Sequence, residues 1–378
     1  MNDINRINCI VLIGAALFAG SAAAAIDVRS AGMASKGVVT GNYATAPFSN
    51  PALLALHHPD TPTLTLPSVS ARQDGYMAVV DDVDEASSLL SVRDINLKDQ
   101  MLVSLEKLKY TQAFGQAEAG LAVTVPSDFN IALFGRAGIK NYVSAEVDER
   151  DFDTIRNESV APFLSTARSV SLQNLEAGFT TAHRFQFRYA SLLVGGNVKY
   201  VERSVYDYTD YVDAFDVEEL LNKSVKVSDK YADVDLGFVY IDKRGARFGL
   251  TAENLLAKDW VNKDGDVVYE GKPHIVAATG YSRKNISFSS EIDVLPDEGF
   301  VGTKEDEKQW VRGGSEFPGL FGESWRVGLK KNLKGQKETV YTAGLGFMPI
   351  PKYVSASISA EYTDGDNFGV GLQLTGWF

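Results

Sequence analysis

From about Ser169 to the C-terminus, apolar and polar residues alternate with period two in segments of eight to twelve residues, each followed by a turn or a polar loop. In the segment from Asn285 to Pro296, Ile286, Phe288, Ser290, Ile292 and Val294 share one face, while Ser287, Ser289, Glu291 and Asp293 share the other. Trp325, Val327 and Leu329 likewise oppose Arg326, Gly328 and Lys330. These are strands whose two faces want different solvents. Their connections alternate in length: short links near Arg184–Gln186, Asp242–Ala246, Arg283–Asn285, Gly319–Glu323 and Met348–Lys352 take turns with long polar stretches. The long ones are about Ala145–Ala167, Arg203–Asp229, Lys258–Gly271 and Asp297–Glu307, and parity puts them all at one edge. Alternation alone also fits a soluble sandwich, but short turns at one rim and long loops at the other are the layout of an outer-membrane barrel.

The predicted fold is therefore all-β, a closed antiparallel transmembrane β-barrel of about 14 strands over residues 63–378. The first strand lies near Thr63–Arg72, and Val83–Leu108 after it has helical rather than strand-like apolar spacing. An even strand count puts both ends of the barrel at the short-turn rim. The last strand carries Phe368, Val370, Leu372 and Leu374 on alternate positions and ends on Phe378, which looks like the assembly signal of such barrels. Ten residues at about 3.3 Å each, tilted near ~40°, cover roughly the 25 Å apolar band of an outer membrane. The inward Glu176, Lys199, Asp233, Asp235, Glu291, Asp293, Arg326, Lys330 and Glu361 predict a wet lumen of mixed charge.

The one long apolar run, Cys9–Ala25, ends in four alanines and has the pattern of a secretory signal peptide spanning residues 1–25. The only cysteine, Cys9, leaves with it, so the mature chain has no disulfide or thiolate metal site. The net charge of −12, without a run of basic residues, argues against a nucleic-acid partner. Hydrophobic residues at 45% exclude a disordered chain.

Residues 26–62 do not alternate, and Gly32, Gly37, Gly41, Pro47 and Pro51 make a long strand there unfavourable. The segment reads Ile26-Asp27-Val28-Arg29-Ser30-Ala31-Gly32-Met33, then Gly37-Val38-Val39, then Pro47-Phe48-Ser49-Asn50-Pro51-Ala52-Leu53-Leu54. These residues resemble the opening of the conjugal-transfer TraF-like family of outer-membrane proteins. That family is similar to FadL-type barrels, which begin with a glycine-rich stretch and an Asn-Pro-Ala motif. The resemblance continues in Leu64-Thr65-Leu66-Pro67-Ser68, in Gly249–Leu255 and in Arg326-Val327-Gly328. It concerns the outer-membrane proteins and not the thioredoxin-like transfer protein of the same name, which needs a Cys-x-x-Cys. The resemblance implies that residues 26–62 fold into the lumen as a hatch, with Arg29, Gly32, Met33, Gly37, Phe48, Asn50, Pro51, Ala52 and Leu53 as its motif. Read from composition alone, the same segment is also compatible with a flexible periplasmic leader.

Candidate chemistry is sparse. His57 and His58 are adjacent and point apart in an extended chain, and His183 and His274 sit by a turn and at a strand start, where solvation is expected. Asp264-Gly265-Asp266 and Asp364-Gly365-Asp366 lack the full spacing of a calcium loop. Asp81, Asp82, Asp84 and Glu85, with Asp297, Glu298, Glu305, Asp306 and Glu307, put acidic clusters on the long-loop side, as a solvated rim or as cation-bridged contacts to lipopolysaccharide. Trp260, Trp310, Trp325 and Trp377 are candidates for interfacial girdles. No nucleophile motif marks an enzyme, and no cofactor or metal is expected. Two functions follow: a gated passive channel for small or hydrophobic compounds, as the FadL-type resemblance implies, or an outer-membrane component of conjugative transfer or secretion machinery. Expected partners are outer-membrane lipid and lipopolysaccharide, the barrel assembly machinery, and transfer-apparatus proteins.

Overall fold

The computed structural model describes residues 26–56, 62–109, 111–125, 130–159, 161–221, 225–283, 286–303, 307–335, 337–350, 353–363 and 367–378. The signal peptide, His57, His58, Glu305, Asp306 and Asp364-Gly365-Asp366 lie outside these residues.

A single antiparallel sheet closes on itself. Its strands, all but two of the sixteen among the described residues, are β1 (Thr63–Asp74), β2 (Gln112–Val125), β3 (Ile131–Glu146), β4 (Thr166–Gln186), β5 (Ala190–Tyr211), β6 (Lys226–Asp242), β7 (Ala246–Glu253), β10 (His274–Arg283), β11 (Ile286–Asp293), β12 (Trp310–Pro318), β13 (Ser324–Asn332), β14 (Thr339–Ile350), β15 (Val354–Tyr362) and β16 (Phe368–Trp377). That makes fourteen strands in the barrel. The remaining two, β8 (Trp260–Val261) and β9 (Val267–Tyr269), form a small hairpin in the β7–β10 loop. Closure is made by β1 pairing with β16, Thr63 opposite Trp377 and Gln73 opposite Phe368. At the short-turn rim the Phe378 amide donates to the Pro62 carbonyl at 3.1 Å.

Alternation sorts the side chains as the sequence pattern requires. Leu175, Phe179, Phe248, Phe288, Trp325, Val327, Ile358 and Leu372 are exposed on the outside. The closed sheet with this apolar outer face supplies the span. Among the described residues no helix is long and apolar enough to cross a membrane. Every inward charge expected from the sequence is on the interior side, and Glu176, Lys199, Asp233, Asp235, Glu291, Asp293, Arg326 and Glu361 are buried.

Two long connections turn out to be largely structured. β4 and β5 run for 21 and 22 residues, well past the apolar band, so Arg203–Tyr211 continues a strand instead of opening a loop. Helix α4 (Glu149–Arg156) occupies the β3–β4 connection, and the helical segment after β1 is α2 (Tyr76–Val92) with α3 (Lys98–Leu108); α1 is the single turn Val28–Ala31. Ala145 and Ala167, on the outward face of the extended strands, are fully or nearly fully buried against Val83, Leu90, Leu105, Phe152 and Phe215. The helices thus clothe the outer wall where it rises out of the apolar band. The period-two signal fades there because both faces of the sheet are covered.

Leu372 lies near the middle of β16, pairs with Ile358 and is 52% exposed to the outside. Leu372→Arg is expected to destabilise the folded barrel in lipid by about 2–4 kcal/mol. Denaturant titration in vesicles, followed by the loss of heat-modifiable gel mobility, checks this.

Candidate functional site

Residues 26–56 lie inside the barrel and are almost entirely buried. The wall receives them on glycines. A side chain on Gly314 would fall 2.0 Å from the Met33 carbonyl oxygen, and one on its cross-strand partner Gly328 would fall 2.3 Å from the Met33 carbonyl carbon. A Cβ at Gly195 would meet the Pro51 carbonyl at 2.6 Å, and one at Gly237 would strike the Asn50 side chain. The backbone of the segment therefore touches the backbone of the wall, an approach that only glycine permits.

Polar contacts then fix its register. Glu291, 2% exposed, accepts the Ser35 hydroxyl and the Lys36 amide at 2.6 Å each and the Val38 amide at 3.1 Å. Arg29 forks onto Glu316 at 2.9 and 2.7 Å, and Arg326 reaches the same carboxylate from β13 at 2.6 Å. Lys36 Nζ pairs with Glu253 at 2.7 Å. Gln373 accepts the Val28 amide at 3.0 Å, and the Thr342 hydroxyl donates to the Gly32 carbonyl at 3.1 Å. Hydrogen bonds to charged groups contribute about 1.5–3 kcal/mol each, so the Glu291 and Glu316 anchors dominate this set.

Each expected motif residue has a distinct place. Gly37 has φ +88°, and a side chain there would strike Ser30 and Asp27. Asn50 accepts the Ala52 amide at 3.0 Å, capping the 3₁₀ turn Pro51–Ala55, and its amide donates to the Val38 carbonyl at 2.9 Å. Ala52 and Leu53 join Val38, Val39, Leu193 and Val239 in an apolar cluster. Phe48 stands edge-on to Phe134 with ring centroids 5.9 Å apart. The structure brings all nine together in the lumen. Phe368, Val370, Leu372 and Phe378 are exposed on the outer face, with Leu374 half-buried on the same face.

Several expectations are corrected. His274 does stand at a strand start, that of β10, but it is half-buried instead of solvated: its ring meets Lys36 Nζ at 2.7 Å and Asp293 at 3.2 Å inside the lumen. His183 is exposed. Trp310 faces the lumen, 7% exposed, between Arg72 and Lys330, and Trp377 donates to the Tyr43 hydroxyl at 2.6 Å. Trp260 lines the interior beside Arg203, so only Trp325 faces outward as a girdle residue would.

A second closure stands at the long-loop mouth. The β7–β10 and β11–β12 loops cross it, joined where the Val301 amide donates to the Val268 carbonyl at 3.0 Å. Phe300, 4% exposed, stacks at 5.3 Å on Tyr142, and Tyr269 meets it edge-on at 5.5 Å. The Tyr269 hydroxyl donates to Asp297, and Lys140 lies 3.4 Å from the same carboxylate. Burial pushes the Asp297 carboxyl up, but Lys140 and the tyrosine outweigh it and hold the group at about 2. Between this cluster and the N-terminal segment lies a cavity of about 300 Å³. Arg136 and Glu118 were not singled out in the sequence; their inward parity was the available signal.

Glu291→Ala removes three charge-assisted hydrogen bonds and Gly328→Val removes the bed for Met33. Both are expected to release residues 26–56 while leaving the barrel closed. Hydrogen exchange should rise in 26–56 alone, with heat-modifiable mobility retained.

Two solved structures share the fold. The toluene transporter TbuX of Ralstonia pickettii is 13% identical with a TM-score of 0.52, the match covering 96% of this chain and 100% of that one. The deltaS2S3 mutant of TodX, a monoaromatic hydrocarbon channel, is 10% identical with a TM-score of 0.50, covering 89% and 94%. At such identities the likeness is one of architecture. No curated protein matches the chain. Residues 47–294, well over half of the chain, match a family model that begins inside the buried Pro47–Leu54 stretch and runs through β11, and the chain belongs to that family, described as F plasmid transfer operon, TraF, protein.

Proposed function

We propose that this protein is a gated passive channel of the outer membrane for small or hydrophobic compounds, with residues 26–56 as its movable hatch. The observation that carries this reading is the bonding of that segment: it fills the lumen through side-chain contacts and backbone–glycine approach, and it is not a strand of the wall. It can therefore leave without opening the sheet. A plug that was itself a strand could not. The solved proteins of the same architecture, described as a toluene transporter and a hydrocarbon channel, support the substrate class, and catalysis has no part in it. The apolar terminal strand serves assembly, and the acidic long-loop rim faces lipopolysaccharide.

Family membership favours a second reading, a component of transfer machinery that contacts envelope proteins through its long loops. Planar-bilayer conductance separates the two. The channel reading expects small wild-type conductance that rises severalfold when residues 26–56 are deleted or when Glu291→Ala loosens them. A barrel that stays tight in all three forms while retaining envelope partners through purification would sink it.

A further inference from the structure

We propose that three adjacent turns of the short-turn rim form a binding surface for the headgroups of anionic phospholipid, in the leaflet opposite the lipopolysaccharide. The inference goes beyond the channel reading and holds whether or not the barrel conducts.

The β4–β5, β6–β7 and β10–β11 turns carry Arg188, Lys243, Arg244 and Arg283. They are joined into one surface. The Lys243 amide donates to the Tyr189 carbonyl at 3.1 Å, and the Ser282 amide donates to the Gly245 carbonyl at 3.0 Å. The Tyr189 ring gathers two of the cations, with the Arg188 guanidinium 5.2 Å and the Lys243 ammonium 5.1 Å from its centroid. All four cations are exposed, and among the described residues none has a carboxylate partner. Asp242, at the start of the β6–β7 turn, is turned back onto it, accepting the Arg244 and Ala246 amides at 2.8 and 2.9 Å. On the long-loop side the cations are held differently: Lys107 meets Asp82 and Glu85, Lys258 meets Asp229, and Lys272 meets Glu270 and Glu298. A chain of net charge −12 thus concentrates unpaired positive charge on one arc. The arc is not a general property of the rim, because the β12–β13 turn presents Leu320 and Phe321, 93% and 94% exposed, beside Glu323.

What stands above the arc says which partner it meets. Phe185, Leu192, Tyr240 and Phe248 are successive cross-strand neighbours on β4, β5, β6 and β7, and the three aromatics are exposed on the lipid face. Arg283 lies on the same outward face, opposite the exposed Ile286. Aromatic side chains on a lipid face collect at the headgroup boundary. Arg188 and Lys243 stand three residues past Phe185 and Tyr240, at most roughly 8 Å lower for a tilted strand, which is about one headgroup layer. Cations at that depth meet phosphate, and basic clusters beside a membrane span attract anionic lipid. A phosphatidylglycerol headgroup leaves its whole negative charge to the arc, whereas phosphatidylcholine brings an ammonium of its own. An acidic soluble protein would match the charge but leave the aromatic row unused.

Native mass spectrometry tests this on the purified full-length barrel, offered equimolar phosphatidylglycerol and phosphatidylcholine with identical acyl chains. The wild type should retain the anionic lipid at least about fivefold over the zwitterionic one. Arg188→Gln/Lys243→Gln/Arg244→Gln should bring that ratio close to unity. Lys226→Gln/Lys230→Gln/Lys331→Gln removes the same charge from exposed long-loop-side positions and should leave the ratio unchanged. Glycerol 1-phosphate in about a hundredfold excess should not displace the lipid, since it has no chains to lie along the aromatic row. Equal retention of both lipids by the wild type, an equal loss in the two triple variants, or displacement by glycerol 1-phosphate overturns the lipid surface. Binding of polyglutamate that depends on the arc, without any lipid preference, assigns the arc to an acidic polypeptide and overturns it as well.

Discussion

A backbone amide in lipid has no water to bond, and that constraint decides this molecule before any particular side chain does. The sheet must close, and it does so through the pairing of β1 with β16. Closure makes a lumen, and alternation makes that lumen polar, because the faces turned away from lipid carry the charges. Fourteen strands enclose more than their own side chains can fill. The interior consequently contains a second structure, and its chemistry is dictated by the walls.

The two closures solve the filling problem differently. On the hatch side, wall glycines let main chain lie against main chain, and Glu291 and Glu316 supply charged acceptors to a segment with unpaired amides and Arg29. At the mouth, the loops bring Phe300 onto Tyr142 and Tyr269 onto Phe300, and add the ion pairs Lys140–Asp297 and Lys272–Glu298 to this aromatic contact. The hatch is held by polar anchors inside a narrow bed, whereas the mouth is held by stacking among loop residues. The space between them is bounded by hatch side chains below and by inward-facing strand residues around.

The strands, their number, the loop parity and the helical character after β1 were legible in the sequence because each depends on local periodicity. The lower parts of β4 and β5 were legible, and the upper part of β5 was not: Val205 and Tyr206 are both buried although the chain there shows no one-sided apolar pattern. A strand covered on both faces loses the alternation by which it is recognised. Trp310 and Trp377 misled for a related reason, since tryptophan suits an interface and a lumen equally and only its parity against neighbours tells which.

By itself the sequence determined that the chain has two-faced strands, that these face lipid on one side, and that residues 26–62 stand apart from them, because composition and period are properties of neighbours along the chain. Only the tertiary structure decided that Gly314, Gly328, Gly195 and Gly237 form a bed, that Glu291 binds three donors from one short stretch, and that His274 joins Lys36 and Asp293. Except for His274 and Asp293, which sit on adjacent strands, those pairs are separated by well over a hundred residues in sequence, and no local signal says which inward position of one strand meets which residue of a segment that crosses the lumen. That meeting is set by strand stagger and barrel radius, which exist only once the sheet has closed.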